Sequence, residues 1–409
     1  MVVSSLADNK YLRFFFYVVL GELFLMGSGQ DLPIVGSLTL RMLNFLVGLV
    51  ISAYLFIRTD EFPKAVLGFI LAYLMMMVVS FMLGIVFDSP QEYLFEDLKP
   101  LTYFYMLLFF YYMLSSELII GKVLDILLWA VKVMTVLYLL YMLVTDILGF
   151  FSLEGYYQAV DDSGSFMFRG VGSALFYKGF IFLPIGALGF FKRKQYVWML
   201  LTIGAIYFTY TRGLYVLLAF GLLVYYLKTH EVNIYKIIGI VLIALLFYEV
   251  AEAMELFSFG DSFAENREES DEVRFTTIRE VFERITWWSL FIGHGFGQGV
   301  PERPVHMEIS YLDIFHHQGL MGLFFWGALL VGILIYGNTV PSKYKETADF
   351  YITAALMIYL QSCFNPYVNN PIGMSMVMLA FVICFRLSQD ENLSHSSSLQ
   401  GRLPADECP

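Results

Sequence analysis

AVLGFILAYLMMMVVSFMLGIVF, residues 65–87, runs between Lys64 and Asp88 without one charged side chain. A helix that crosses a bilayer needs roughly 20 mostly apolar residues, so this stretch is long enough on its own. The pattern recurs on both sides of it. Apolar segments near 11–27, 37–57, 101–115, 123–144, 171–191, 196–211, 214–228, 236–255, 318–337, 350–364 and 371–387 bring the total to about twelve predicted spans. Composition agrees, with 58% hydrophobic, 18% aromatic and 15% charged residues in 409, and a mean hydropathy of +0.68. The expected fold class is an all-α polytopic membrane protein.

Orientation follows from the side on which short loops collect Lys and Arg. Arg58 and Lys64, Lys122, Lys192 to Lys194, Lys228 and Lys236, and Lys343 and Lys345 fall on one side. The alternate loops are acidic, with Asp88, Glu92, Glu96 and Asp97 in one and Glu154, Asp161 and Asp162 in another. Both termini are therefore expected in the cytoplasm. Lys10 and Arg13 lead into an apolar run with no small-residue cleavage site, which reads as an anchor. Four regions follow: spans one to nine (1–255), one large periplasmic loop (256–317), spans ten to twelve (318–388) and a disordered, serine-rich cytoplasmic tail (389–409). The net charge of −11 argues against a nucleic-acid partner and makes individual arginines matter more than the total.

Chemistry concentrates around the large loop. Between Ser270 and Phe291, Phe275, Ile278, Phe282, Ile285 and Trp288 recur at spacings of three and four, the mark of an amphipathic helix lying along the membrane surface. Arg274 points toward that apolar stripe, whereas Arg279 and Arg284 point away. Its alternative reading is a snorkelling or salt-bridged side chain. Arg212, in Thr209-Tyr210-Thr211-Arg212-Gly213, sits at the outer face, where positive charge is disfavoured; it is either an interfacial anchor or a phosphate-gripping guanidinium. Arg169 stands at the outer start of the sixth span with Lys178 about two turns deeper, forming either a positive funnel or partners for Asp161 and Asp162.

The glycine-rich run Gly293-His294-Gly295-Phe296-Gly297-Gln298-Gly299 lacks the strand–turn–helix context of a dinucleotide site and reads as a tight turn beside other backbone. On a helix, His306 and Asp313 would share a face with Tyr311 nearby, and Glu308 would point about 160° from His306. Only one of His306 and Glu308 should then face a site, as a base for a sugar hydroxyl. Zinc binding by His316 and His317 is disfavoured because adjacent helical residues diverge. Cys363, Cys384 and Cys408 have no metal-ligand spacing.

Four segments, in order, resemble the bacterial O-antigen polymerase and O-antigen ligase superfamily: Thr-x-Thr-Arg-Gly, the loop-helix arginine, Leu-Phe-Ile-Gly-His-Gly-Phe-Gly, and His-Met-Glu-Ile-Ser-Tyr-Leu-Asp followed by Gly-Leu-Met-Gly. The resemblance runs from about Phe168 to Leu323. It implies transfer of a glycan from an undecaprenyl-pyrophosphate carrier to an acceptor hydroxyl at the periplasmic membrane face, by a glycosyltransferase that needs no metal or other cofactor. Arg212, Arg274 and Arg169 match the family's arginines and would bind pyrophosphate. The family's His-Asn-x-Tyr-Leu histidine falls at Glu308, with His306 two residues earlier, so His306 and Glu308 are the candidate catalytic residues, His306 favoured by chemical type. Lys178, His294 and Tyr311 are candidate supporting groups. Implied partners are the lipid-linked oligosaccharide, membrane lipid and a chain-length regulator protein. Polymerase is favoured over ligase, and a flippase is the competing reading from a different class.

Overall fold

Long uncharged segments cannot leave backbone N–H and C=O groups unpaired in hydrocarbon, so they must close their hydrogen bonds within helices. The computed structural model describes residues 9–27, 29, 33–35, 38–59, 62–148, 166–168, 174–229 and 261–389, with backbone alone at 33–35, 146–147, 166–168 and 261–271. Arg169, the predicted ninth span 236–255 and the tail from Asp390 lie outside the described residues.

Helices α1 (Lys10–Leu25), α2 (Leu40–Arg58), α3 (Lys64–Val86), α4 (Gln91–Leu101), α5 (Met106–Met113) and α6 (Glu117–Met142) form the first half. They are followed by α7 (Phe182–Lys192), α8 (Tyr196–Phe208), α9 (Arg212–Thr229), α10 (Asp261–Glu283), α11 (Ser289–Ile292), α12 (Ser310–Thr339), α13 (Lys345–Gln361) and α14 (Pro371–Ser388). Two small hairpins, β1 (Pro33–Val35) with β2 (Leu38–Thr39) and β3 (Phe166–Phe168) with β4 (Leu175–Tyr177), accompany them. Among the described residues six helices are long and apolar enough to cross a membrane. The protein is thus an all-α polytopic membrane protein.

Burial separates the centre of the bundle from its rim. In α14, 89% of the apolar window is buried, against 28% in α3, whose Leu71, Met75 and Met82 face outward as lipid-contacting side chains do. At the centre Tyr73, Phe104, Phe325 and Trp326 pack edge to face, and the Tyr73 hydroxyl donates to Leu101 O at 3.0 Å. Glu22 and Arg41, the charged pair inside this apolar region, bond each other at 2.8 Å near the junction of α1 and α2. Arg41 Nη1 also donates to Gly27 O. A buried carboxylate is tolerable only with such a partner.

One end of the bundle gathers basic groups. Lys192 meets Glu346 at 3.3 Å, Lys228 meets Asp349 at 3.4 Å and Arg193 meets Asp125 at 3.2 Å. The opposite end carries the loop helices α10 and α11.

Three expectations need correction. The predicted fourth span, 101–115, is a broken element: α4 ends at Pro100-Leu101, a 3-10 turn covers Thr102–Tyr105, and α5 resumes at Met106. Pro100 removes an N–H from the last turn of α4, and the turn that follows tightens to 3-10 geometry, which apolar composition does not register. The sixth span is helical only from Phe182; Lys178 opens a 3-10 turn after β4 instead of lying two turns into a helix. The loop helix is Asp261–Glu283 instead of Ser270–Phe291, and its apolar stripe faces outward, with Phe275 72% and Phe282 58% exposed. The side that meets the protein carries Thr277 and Val281, both buried, and Arg274.

Candidate functional site

The glycine-rich run after α11 is a packing device. Gly293, Gly295 and Gly297 all have positive φ, near 74°, 87° and 75°, which side-chain-bearing residues rarely adopt. A Cβ on Gly295 would stand 2.6 Å from Gly84 N of α3. The run docks on α3 through Phe296 N to Ser80 O at 3.0 Å, and on α4 through Gly297 N to Asp97 Oδ2 at 2.7 Å. Gly319, with φ 63°, kinks α12 after its first turns. The break frees the carbonyls of His316 and His317, and the glycine run supplies the missing donors, His294 N and Gly295 N, at 2.8 and 3.1 Å.

This docking buries Asp97 beneath the loop. Its Oδ2 lies 3.2 Å from His317 Nε2, and its Oδ1 lies 3.4 Å from His306 Nδ1. Neither contact is an aligned hydrogen bond: Asp97 Oδ1 and His317 Nε2 have none among the described residues. They act through charge. Burial alone would raise the Asp97 carboxyl, but His317, the His306 contact and the Gly297 N–H overrule it and hold the acid well below the usual carboxylate range. His317, 3% exposed, faces Asp313 O at 3.0 Å with its other nitrogen. Asp313 in turn accepts from Asn369 Nδ2 at 2.7 Å and from Met307 N at 3.3 Å.

His306 is the exposed member, with 54% of its side chain accessible. Partial burial would lower its imidazole, yet Asp97 and Asp313 outweigh this and the opposing His317 charge, so it titrates above the ordinary histidine value. Beside it Glu308 holds two arginines: Arg274 Nε donates to Oε2 at 2.8 Å and Arg303 Nη2 donates to Oε1 at 2.7 Å. These three side chains line a shallow cleft with Val273, Thr277, Ile309 and Leu312.

The helix reading of 306–313 is overturned, because α12 begins only at Ser310. The 160° separation of His306 and Glu308 therefore does not apply, and both reach the site. Met307 between them is buried with Val281 and Val300.

The remaining candidates divide. Arg212 begins α9 at the same end of the bundle, where the Thr209 and Thr211 side chains close the turn and Tyr210 takes a positive φ of 49°. Gly213 lets the Gln361 side chain approach, at the end of α13 that leads to Asn369. Lys178 joins this end through its carbonyl, which accepts from the Tyr367 hydroxyl at 3.4 Å. Tyr311 locks α12 to α13 by donating to Tyr359 O at 2.7 Å. His294 stacks on His316 with ring centroids 4.7 Å apart, and burial lowers its imidazole below the ordinary value. These last two side chains make contacts within the fold. Arg169 is outside the described residues.

Asp97, Arg303, His317 and Asn369 join the site without having been singled out as its residues. Asp97 is separated from Gly297 by 200 positions and read as one of several loop acids. Alternative signals in the sequence were slight: Arg303 lies within five residues of Glu308, and His317 stood out only as a metal candidate.

The fold and site define a class: a polytopic α-helical membrane protein with an acid–histidine network and an arginine pair gathered at one end of its bundle. Among known proteins, the chain is similar to the O-antigen polymerase of Shigella flexneri, 23% identical over 404 residues, which is 96% of this chain and 98% of that one. No protein-family profile matches it. The full-length similarity supports the resemblance to O-antigen polymerases carried by the loop motifs.

Proposed function

We propose that this protein is an O-antigen polymerase, a glycosyltransferase that moves a glycan from undecaprenyl pyrophosphate to a hydroxyl of another lipid-linked repeat unit. The observation that carries the reading is similarity to an O-antigen polymerase over nearly the whole of both chains. It favours polymerase over ligase and flippase. The site supports it chemically: a histidine that can take a proton lies beside guanidiniums that can take a departing pyrophosphate.

In the proposed reaction the acceptor hydroxyl oxygen attacks the anomeric carbon as the carbon–oxygen bond to pyrophosphate breaks. The bonding electrons leave on the phosphate oxygen, and the hydroxyl proton passes to His306 Nε2. A single displacement inverts the anomeric carbon. Arg274, Arg212 and Arg169, now joined by Arg303, neutralise the charge developing on pyrophosphate, so the reaction requires no metal or other cofactor. Glu308 is the weaker choice of base, since both its oxygens already accept from arginines.

The topology belongs to the same proposal: about twelve spans, the ninth at 236–255, a periplasmic loop at 256–317, spans ten to twelve at 318–388 and a cytoplasmic tail at 389–409. Clustering of Lys192, Lys228 and Lys345 at the end away from the site supports cytoplasmic termini in the inner membrane. Membrane lipid surrounds the bundle, and a chain-length regulator is the proposed protein partner.

Purified protein incubated with a defined undecaprenyl-pyrophosphate repeat unit, with and without lipid A-core, tests the reading. Elongation without lipid A-core is expected, and Arg212→Ala and Arg274→Ala should each cut its rate about 10²–10³-fold. Transfer only to lipid A-core would make it a ligase, and wild-type rates in both variants would remove the pyrophosphate site.

A further inference from the structure

We propose that Asp97, from the break between the third and fourth predicted spans, is the positioning residue for His306, and that buried His317 clamps it in place. The inference rests on reading His306 as the base. Asp97 reaches the loop through α4, whose side chains are otherwise consistent with a short interfacial helix. Its carboxylate is fixed on one side by Gly297 N at 2.7 Å and by His317 Nε2 at 3.2 Å. The other oxygen, Oδ1, is buried, accepts no aligned hydrogen bond among the described residues and lies 3.4 Å from His306 Nδ1. A buried acceptor left open toward a half-exposed imidazole is the arrangement that would fix one ring orientation and tautomer, leaving Nε2 free for substrate. Such contacts are often loose before substrate binds and tighten in the reacting complex.

His317 has a different part. Nδ1 donates to Asp313 O, and Nε2 lies 3.2 Å from Asp97 Oδ2 without an aligned hydrogen bond, so two oxygens flank the ring and favour its protonated form by charge. The resulting imidazolium sits between Asp97 and Asp313, and Asn369 and Met307 N hold Asp313 from behind. It is 3% exposed, so it acts on the site through these carboxylates and through its own charge rather than by touching substrate. The groups facing His306 are Asp97 from α4 and Asp313 and His317 from α12. Asp97 and Asp313 raise its titration and His317 opposes them.

The test uses full-length protein in lipid nanodiscs, with donor elongation followed across pH for the wild type, Asp97→Asn, Asp97→Glu and His306→Gln. Asp97→Asn should lose about 10²-fold or more in kcat with donor KM within about threefold, as removing the carboxylate that orients a catalytic histidine does. The rising limb of its pH profile should move to lower pH, because the carboxylate that raises His306 is gone. Asp97→Glu should recover part of the rate. Diethylpyrocarbonate labelling of His306, located by mass spectrometry, reads the same titration independently of turnover, so a poorly active variant still reports. A wild-type kcat in Asp97→Asn, or an unmoved His306 titration, overturns the inference. If His306→Gln elongates at the wild-type rate, the base assignment itself fails; if it is inactive while Asp97→Asn is normal, only the role of Asp97 fails.

Discussion

Replacing Glu308 with Gln distinguishes the two candidate bases, because each role places the effect in a different constant. Glu308 lies 2.8 Å from Arg274 Nε and 2.7 Å from Arg303 Nη2, and all three side chains are about one third exposed. After screening, an ion pair of that exposure contributes about 0.5–1 kcal/mol, so the two pairs hold the carboxylate by about 1–2 kcal/mol. Pyrophosphate entering this fork must displace or share Glu308. Weakening its hold with an amide should therefore lower donor KM, by up to about tenfold at 1.4 kcal/mol per decade. If Glu308 were the base, the amide would accept no proton and kcat would fall about 10²–10⁴-fold. His306→Gln is the paired variant, expected to lose that same 10²–10⁴ in kcat. Initial rates of elongation on a defined lipid-linked donor measure both constants. The reasoning is refuted if Glu308→Gln collapses kcat while His306→Gln turns over normally.

Two further predictions concern the frame. Arg41→Ala would strand the buried Glu22 carboxylate and should cost about 3–5 kcal/mol, read as a lower thermal unfolding midpoint in detergent; the double variant Glu22→Gln/Arg41→Met should recover most of it, and an unchanged Arg41→Ala midpoint would count against the pair. A Cβ at Gly84 would stand 2.4 Å from Phe296 O, so Gly84→Ala should lose about 1–3 kcal/mol and, with the turn displaced, activity. Gly68→Ala on the same helix, where nothing lies within 4 Å, is its neutral control, and equal behaviour of the two would refute the packing role.

What was legible in the sequence is what the bilayer imposes. The stretch 65–87 became Lys64–Val86 and 371–387 became Pro371–Ser388, because length and apolarity alone decide such helices. Arg274 faces the protein, but not for the reason its spacing suggests, because the apolar stripe used as reference faces outward. Asp97 was not legible. Its role depends on a turn 200 residues away, and acidic loop residues look alike until one is covered. The 3-10 turn at Thr102–Tyr105 follows Pro100, a signal that the apolarity of 101–115 alone does not register. Chemical type singles out His306 as a candidate, and the helical surroundings expected for it are absent, because the helix begins four residues later at Ser310.

Met307, buried between His306 and Glu308 in the chain, separates the two halves of the candidate site. Met307 is pinned between Val281 and Val300, and its N–H is held by Asp313. His306 and Glu308 on either side of this pin reach separate partners, the Asp97 network and the arginine pair. Two residues of extended chain span about 7 Å. In the proposed reaction the acceptor hydroxyl lies about 3 Å from the anomeric carbon, and a single bridging oxygen separates that carbon from the first phosphorus. A proton acceptor and guanidiniums must therefore stand within several ångström of each other, which side chains two residues apart along the chain can do. If His306 and the arginines act as proposed, burial of Met307 fixes the chain between them without taking part in the chemistry.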